Sequence, residues 1–225
     1  MAKLDGSTAV LLVLGALSSA PGMAGALPPC TVEVAPRPTA GAQYGCSVAT
    51  HGAVAAAGAN LDPAAGPHGA GAVYVLQPSG QVRLTAADAG AGDQLGFAVS
   101  IGDDALAAGA PFAAAPGAAG AGAVYVFGAR GGAWSADSPQ TKVTAPGARG
   151  GDRFGQAAAL AGAVLAVGAP NRTGSGGSFS GAVFIFRRSG GAGGSWNLEA
   201  ELADPDAAPF DGFGYSLALA GDVLA

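Results

Sequence analysis

Three aspartates are the first residues whose type and spacing could do chemistry: Asp93, Asp152 and Asp211 each stand three residues before a glycine that recurs along the chain, Gly96, Gly155 and Gly214. A repeated carboxylate can help hold a cation. It can equally accept backbone N–H groups and close a turn with no metal at all, and that second reading is the expectation carried forward. Asp204, Asp206 and Asp211 form the sole local acidic cluster, and Pro205 and Pro209 beside them read as a stiff loop rather than a cage. Of the two histidines, His51 falls in a hairpin turn and His68 in a loop, and they show no paired motif. No Gly-x-Ser-x-Gly elbow, phosphate-cradling loop or Gly-x-Gly-x-x-Gly occurs among forty glycines, so the expectation is a non-catalytic chain without cofactor. Cys30 and Cys46 are candidates for a disulfide, and nothing near them supplies the further ligands zinc would want. Asn171-Arg172-Thr173 is a glycosylation sequon.

Composition sets the frame for these residues. Half of the 225 residues are hydrophobic and 11% are charged, enough for a sizeable core and too apolar for ordinary disorder. The net charge of −5 and only ten scattered Lys and Arg argue against nucleic acid as a partner, and Arg187-Arg188 reads as a solvated strand end. Residues 1–26 resemble a secretory leader: Lys3 precedes an apolar run from Ala9 to Leu17, and Ala24-Gly25-Ala26 is a small-x-small cleavage pattern. That run is about half of what a bilayer-spanning helix needs, and no later segment is long enough without turn glycines, so no membrane span is expected in this chain. Residues 27–40 form a lead-in.

What must position the aspartates is a repeat. Its text is [aromatic/Leu]-Gly, then Gly-Ala-[Asn/Pro], then Gly-Ala-Val-[Tyr/Phe]. The opening glycines are Gly45, Gly58 and Gly71, then Gly96, Gly109 and Gly122, then Gly155, Gly168 and Gly181, so that every copy steps 13 and 13. In the second copy Phe97, Val99 and Ile101 alternate with small residues, the period of two of a strand, and Gly102-Asp103-Asp104 makes a tight turn. Leu106 to Ala110 reads as a second strand that Pro111 ends. Ala123 to Phe127, apolar on both faces, reads as a third strand covered on both sides, and Gln140 to Thr144 as a fourth, matched by Gln81 to Ala86 and Asn197 to Leu202. Four antiparallel strands per copy fit a propeller blade, with Ala and Gly near the axis and larger residues outside. Trp134 and Trp196, in the longer copies, are expected to cover blade edges.

These residues resemble the FG-GAP repeat, the blade unit of the integrin α-subunit propeller. The matching text is Phe154-Gly155 with Gly168-Ala169-Pro170, Leu95-Gly96 with Gly109-Ala110-Pro111, and Tyr44-Gly45 with Gly58-Ala59-Asn60, and a fourth copy opens at Phe213-Gly214. The resemblance implies an all-β fold of four-stranded blades over residues 41–225, divided as 41–91, 92–150, 151–209 and a partial 210–225. It also implies an extracellular or cell-surface setting and partners bound through loops on one face. Calcium-binding members place an acidic loop between the first two strands, whereas this chain has Thr50-His51-Gly52, Gly102-Asp103-Asp104, Ala161-Gly162 and Gly221-Asp222 there, which resembles the short-turn variety and implies no calcium.

The functional expectation is an adhesion-like binding module for a protein or glycan ligand. The alternative is an ancillary propeller of a secreted enzyme whose catalytic domain lies outside this chain. Three blades and a fragment do not close a ring, so the expectation for the chain as it stands is a fragment whose unclosed edges invite self-association.

Overall fold

The structure is a computed structural model of the chain, described over residues 10–13, 31–34, 41–63, 68–174, 176–191, 194–221 and 223–225. All regular structure among these residues is strand. β1 (Val10–Val13) pairs antiparallel with β2 (Thr31–Val34). β1 falls inside the apolar run of the expected leader; the rest of the leader and lead-in, Cys30 included, lies outside the described residues.

Three four-stranded antiparallel meanders follow, each in simple sequence order and none closed into a barrel. Blade 1 is β3 (Tyr44–His51), β4 (Val54–Ala59), β5 (Ala72–Gln77) and β6 (Gly80–Leu84). Blade 2 is β7 (Val99–Ile101), β8 (Ala105–Ala110), β9 (Ala123–Gly128) and β10 (Gln140–Val143). Blade 3 is β11 (Ala157–Ala161), β12 (Val164–Ala169), β13 (Ala182–Ser189) and β14 (Ser195–Leu202). A short hairpin, β15 (Leu219–Ala220) and β16 (Val223–Leu224), opens a fourth. The first strands of successive sheets lie against one another, β3 on β7, β7 on β11 and β11 on β15, so the sheets fan outward from that side as propeller blades do.

One strand is shorter than its alternation implies. Phe97 stands outside β7 because the Gly96 and Phe97 N–H groups both donate to the Gly109 carbonyl, at 2.9 and 3.2 Å, which turns the chain before pairing begins. Blade 1 shows the same irregularity, its register shifting between Tyr44 and Val48.

The period of two divides each strand between two neighbours. In β8 and β9, Leu106, Ala108, Tyr125 and Phe127 pack toward blade 1 with Val73, Val75 and Leu84. The alternate residues Ala105, Ala107, Val124 and Val126 pack toward blade 3 with Phe154, Leu165, Val167 and Phe184. Phe154 is wholly buried, edge-on to Phe184 at 5.5 Å and to Phe186 at 6.0 Å. Burying one such ring contributes about 2–3 kcal/mol. The alanines of β4, β8 and β12, nearly all buried, keep the inner sheets close enough for this packing. Trp134 closes the outer side: it is buried, and its backbone exchanges hydrogen bonds with the Gln77 amide of blade 1 at 2.9 and 3.0 Å.

Pairing also sets which loops share an end. Tyr44, Ala59, Ala72 and Leu84 stand at one end of blade 1, since Tyr44 pairs Ala59, Ala59 pairs Ala72 and Val73 pairs Leu84. The loops between second and third strands and the connections from one blade to the next therefore lie together, here called the loop end. The tight turns between first and second strands lie at the opposite end.

Candidate functional site at the loop end

The repeat's three glycines meet at the blade-to-blade joint. A side chain on Gly58, Gly109 or Gly168 would strike the carbonyl of Gly96, Gly155 or Gly214 in the following copy. Gly71, Gly122 and Gly181 lie as close to Leu95, Phe154 and Phe213, with which they form parallel bridges, and they hold φ of +83°, +96° and +85°. Only glycine fits a backbone crossing of this closeness at positive φ. The motif thus marks where one blade's backbone seats in the next. Pro111 and Pro170 follow it at the ends of β8 and β12, where no ladder donor is needed.

The three aspartates stand at these joints. Asp93 accepts the Gly90 N–H at 2.7 Å, Asp152 the Arg149 N–H at 2.9 Å and Asp211 the Ala208 N–H at 2.6 Å, each through Oδ2. Each joint supplies one such carboxylate, and among the described residues no group of three or more His, Cys, Asp or Glu gathers as for a metal. Replacing Asp93 by alanine is expected to lower stability by about 1 kcal/mol, a fall in Tm of roughly 2–4 °C. The fall should be the same in EDTA and in millimolar calcium by scanning calorimetry; a calcium-dependent difference would show that the carboxylate holds a cation.

Other polar residues tie neighbouring elements. Arg172 has four acceptors: Asp152 Oδ2 at 3.0 Å, Glu201 Oε1 at 3.1 Å, and the carbonyls of Pro146 and Gly147 at 3.1 and 3.2 Å. Its guanidinium also lies 5.2 Å from the Phe184 ring centre. In blade 1 the buried Asp62 accepts the Tyr74 hydroxyl at 2.6 Å and Arg83 Nε at 3.2 Å, and burial together with the Asp62 bond pushes the Tyr74 phenol up to about 12. Asp88, in the connection from blade 1, accepts the Tyr125 hydroxyl at 2.7 Å and Lys142 Nζ at 2.6 Å. Partial burial works against ionisation of Asp88, but these two donors outweigh it and hold the carboxyl below the usual carboxylate range. Burial and Asp88 push the Tyr125 phenol well above its ordinary value. All three act as braces between elements.

The loop end carries the exposed aromatics. Phe97, Phe112, Phe179, Phe210 and Tyr215 all stand there. Arg153 lies over Phe112, 5.5 Å from its ring centre. Phe179 and Phe210 stack at 5.5 Å with planes tilted by 37°. With Arg153, Pro170, Asn171, Asp211, Gly212 and Tyr215 they line a cleft of about 390 Å³.

This phenylalanine pair departs from the repeat. Phe179 occupies the position of Gly69 and Gly120, and Phe210 that of Gly41, Gly92 and Gly151. The backbone keeps the glycine conformation, with φ of +57° at Phe179 and +73° at Phe210, against +72° and +64° at Gly69 and Gly120. The bonds across the joint persist as well: Phe210 N–H to Ser178 O and Gly212 N–H to Phe179 O repeat Gly92 to His68 and Gln94 to Gly69, all at 3.0 Å. A bulky residue held there costs roughly 1–3 kcal/mol.

The remaining residues singled out from sequence are dispersed. His68 is in a loop-end turn, whereas His51 is at the opposite end, where its Nε2 meets Asp103 Oδ1 at 2.7 Å. Cys46 is exposed, its thiol donating to the Gly96 carbonyl at 3.4 Å, and its expected partner Cys30 is outside the described residues. Asn171 of the sequon is half-buried on the cleft wall. Sequence reading missed Arg172, Phe179 and Phe210. The last two could have been found by aligning the copies on their glycines.

No helix among the described residues is long and apolar enough to cross a membrane. No curated protein matches the chain. The family model described as FG-GAP repeat matches twice, at residues 79–127 and 138–186. Each match starts at the outermost strand of one blade and runs through the next blade into its third strand, so it carries one half of the joint before it (Gly96, Gly155) and one half of the joint after it (Gly109, Gly168). The motif, the joints built from it and the two matches agree, and the chain is an FG-GAP repeat protein.

Proposed function

We propose that the chain is an extracellular, non-catalytic binding module of adhesion type, which recognises a protein or glycan ligand through its loop end. The observation that carries this reading is the segregation of aromatic side chains. Every exposed one among the described residues stands at the loop end, while those of the sheet bodies are wholly or partly buried. Exposed aromatics on rigidly held loops are the side chains that binding surfaces favour, because they offer large contact area for little lost freedom. FG-GAP repeats occur in extracellular proteins, and the leader-like residues 1–26 suit export.

The test is solid-phase binding of the purified chain to immobilised extracellular-matrix proteins and glycans. The double substitution Phe97→Ser/Phe112→Ser changes two side chains that are 36% and 37% exposed and should leave the fold intact. It is expected to weaken retention roughly tenfold or more, whereas His51→Ala at the opposite end should leave it unchanged. Retention lost only in His51→Ala, or turnover of a retained glycan or protein by the chain itself, would overturn the reading.

A further inference from the structure

We propose that the cleft walled by Phe179, Phe210 and Tyr215 is a subsite for a neutral, hydroxyl-rich glycan. This rests on the loop end being the binding face, and it narrows that face to one place and one ligand class. The two phenylalanines are not there for the fold. The joint from blade 1 to blade 2 makes the same two bonds with glycine at both positions, and Phe179 and Phe210, 41% and 73% exposed, each hold a backbone that phenylalanine resists. Such a substitution is retained where the side chain does something outside the core, and a tilted pair of exposed rings is a platform for a flat C–H face.

The rest of the lining selects the ligand. Arg153 and Asp211 carry opposite charges, so a cation meets a guanidinium and an anion meets a carboxylate; a neutral ligand meets neither penalty. Oδ2 of Asp211 is taken by the Ala208 N–H, and Oδ1 is left as an acceptor for a donor from the ligand. Asn171 and Tyr215 both donate and accept. A proline-rich segment could stack on the rings, but proline has no N–H to offer these acceptors. Sugar hydroxyls donate and accept, and the C–H face of a pyranose covers an aromatic ring. The volume of about 390 Å³ falls in the range of small-molecule sites.

The experiment uses the 225-residue chain made in a bacterial host, so that Asn171 carries no glycan of its own. It is applied to an array of neutral hexose and N-acetylhexosamine oligosaccharides, with sialylated and sulfated glycans and a proline-rich decapeptide on the same slide. Affinity for the best-retained probe is then measured by calorimetry. The test variant is Phe179→Gly/Phe210→Gly, which restores the residues of the other copies and so should fold with Tm unchanged or raised. Retention of a neutral glycan, weakened roughly tenfold or more in this variant, is the expected result. Failure of every neutral glycan, retention confined to the anionic glycans or the peptide, or equal affinity in the glycine variant would each overturn the proposal. Neutral-glycan binding that survives in the glycine variant but is lost in Phe97→Ser/Phe112→Ser would remove the cleft while leaving the loop-end reading intact. Matrix-protein binding that depends on Phe97 and Phe112, with no glycan retained, would do the same.

Discussion

Gly109→Ala is expected to destabilise the chain by about 4 kcal/mol or more, a large share of a domain's usual stability. The added methyl would fall on the Gly155 carbonyl, also close to the Ala98 methyl at 3.4 Å. The colliding atom is backbone. It belongs to the joint held by Gly122, Phe154 and Gly155, so relief requires blade 3 to move off blade 2 as a body. That movement would open the contact in which Phe154, Val124 and Leu165 are buried. Gly102→Ala is the control, since its methyl would meet only ordinary contacts at 3.8 Å and its φ is unremarkable for alanine. Urea unfolding of the two variants should separate them by several kcal/mol. A Gly109→Ala protein within about 1 kcal/mol of the parent would mean that the joint yields and the repeat glycines need another explanation.

Arg172→Ala should rank second, at about 3 kcal/mol. Most of this comes from one partner. Glu201 is 43% exposed and its pair with Arg172 is worth little, but Asp152 is 5% exposed and would be left with only the Arg149 N–H. The carbonyls of Pro146 and Gly147 would lose their donor as well. Arg172→Lys should recover only part of the loss, because one ammonium cannot reach four acceptors spread around a planar fork. The diagnostic is a cycle with Asp152→Asn. Removing the stranded charge in the Arg172→Ala background should restore about 1 kcal/mol or more, and strict additivity of the two substitutions would show that the pair is not the source of the effect.

These two residues illustrate what sequence could and could not show. The 13-residue steps identified Gly109 as structural, since nothing but geometry holds a register so strictly, and the unbroken β-branched and aromatic run from Ala123 to Phe127 placed a strand covered on both faces, observed as Ala123–Gly128. Which atoms Gly109 meets was not legible: its neighbour Gly155 lies in the next copy, and contact between them follows from how blades stack, not from any local pattern. Arg172 is harder still. At the same place in the other copies stand Asp62 and Ala113, so no repeat signal marks it, and its partners come from a connection and an outer strand that are remote in sequence. Phe97 was assigned to a strand by alternation alone, and the bifurcated acceptor at Gly109 explains why pairing starts two residues later. Phe179 and Phe210 were visible as exceptions to a glycine rule, but only φ showed that their backbone had not changed with the residue.

The offset between the family repeat and the sheet has a consequence for how such a chain can grow. A unit of the kind matched at 79–127 ends a sheet it did not begin and begins one it does not end. Duplication of that unit would therefore splice a blade in rather than append one: the incoming copy hands its first strand to the sheet before it and borrows its last from the copy after. Each unit carries the acceptor carbonyl for the glycine of the copy before it and the glycine that meets the carbonyl of the copy after it, so a crossover that keeps the register keeps both kinds of joint.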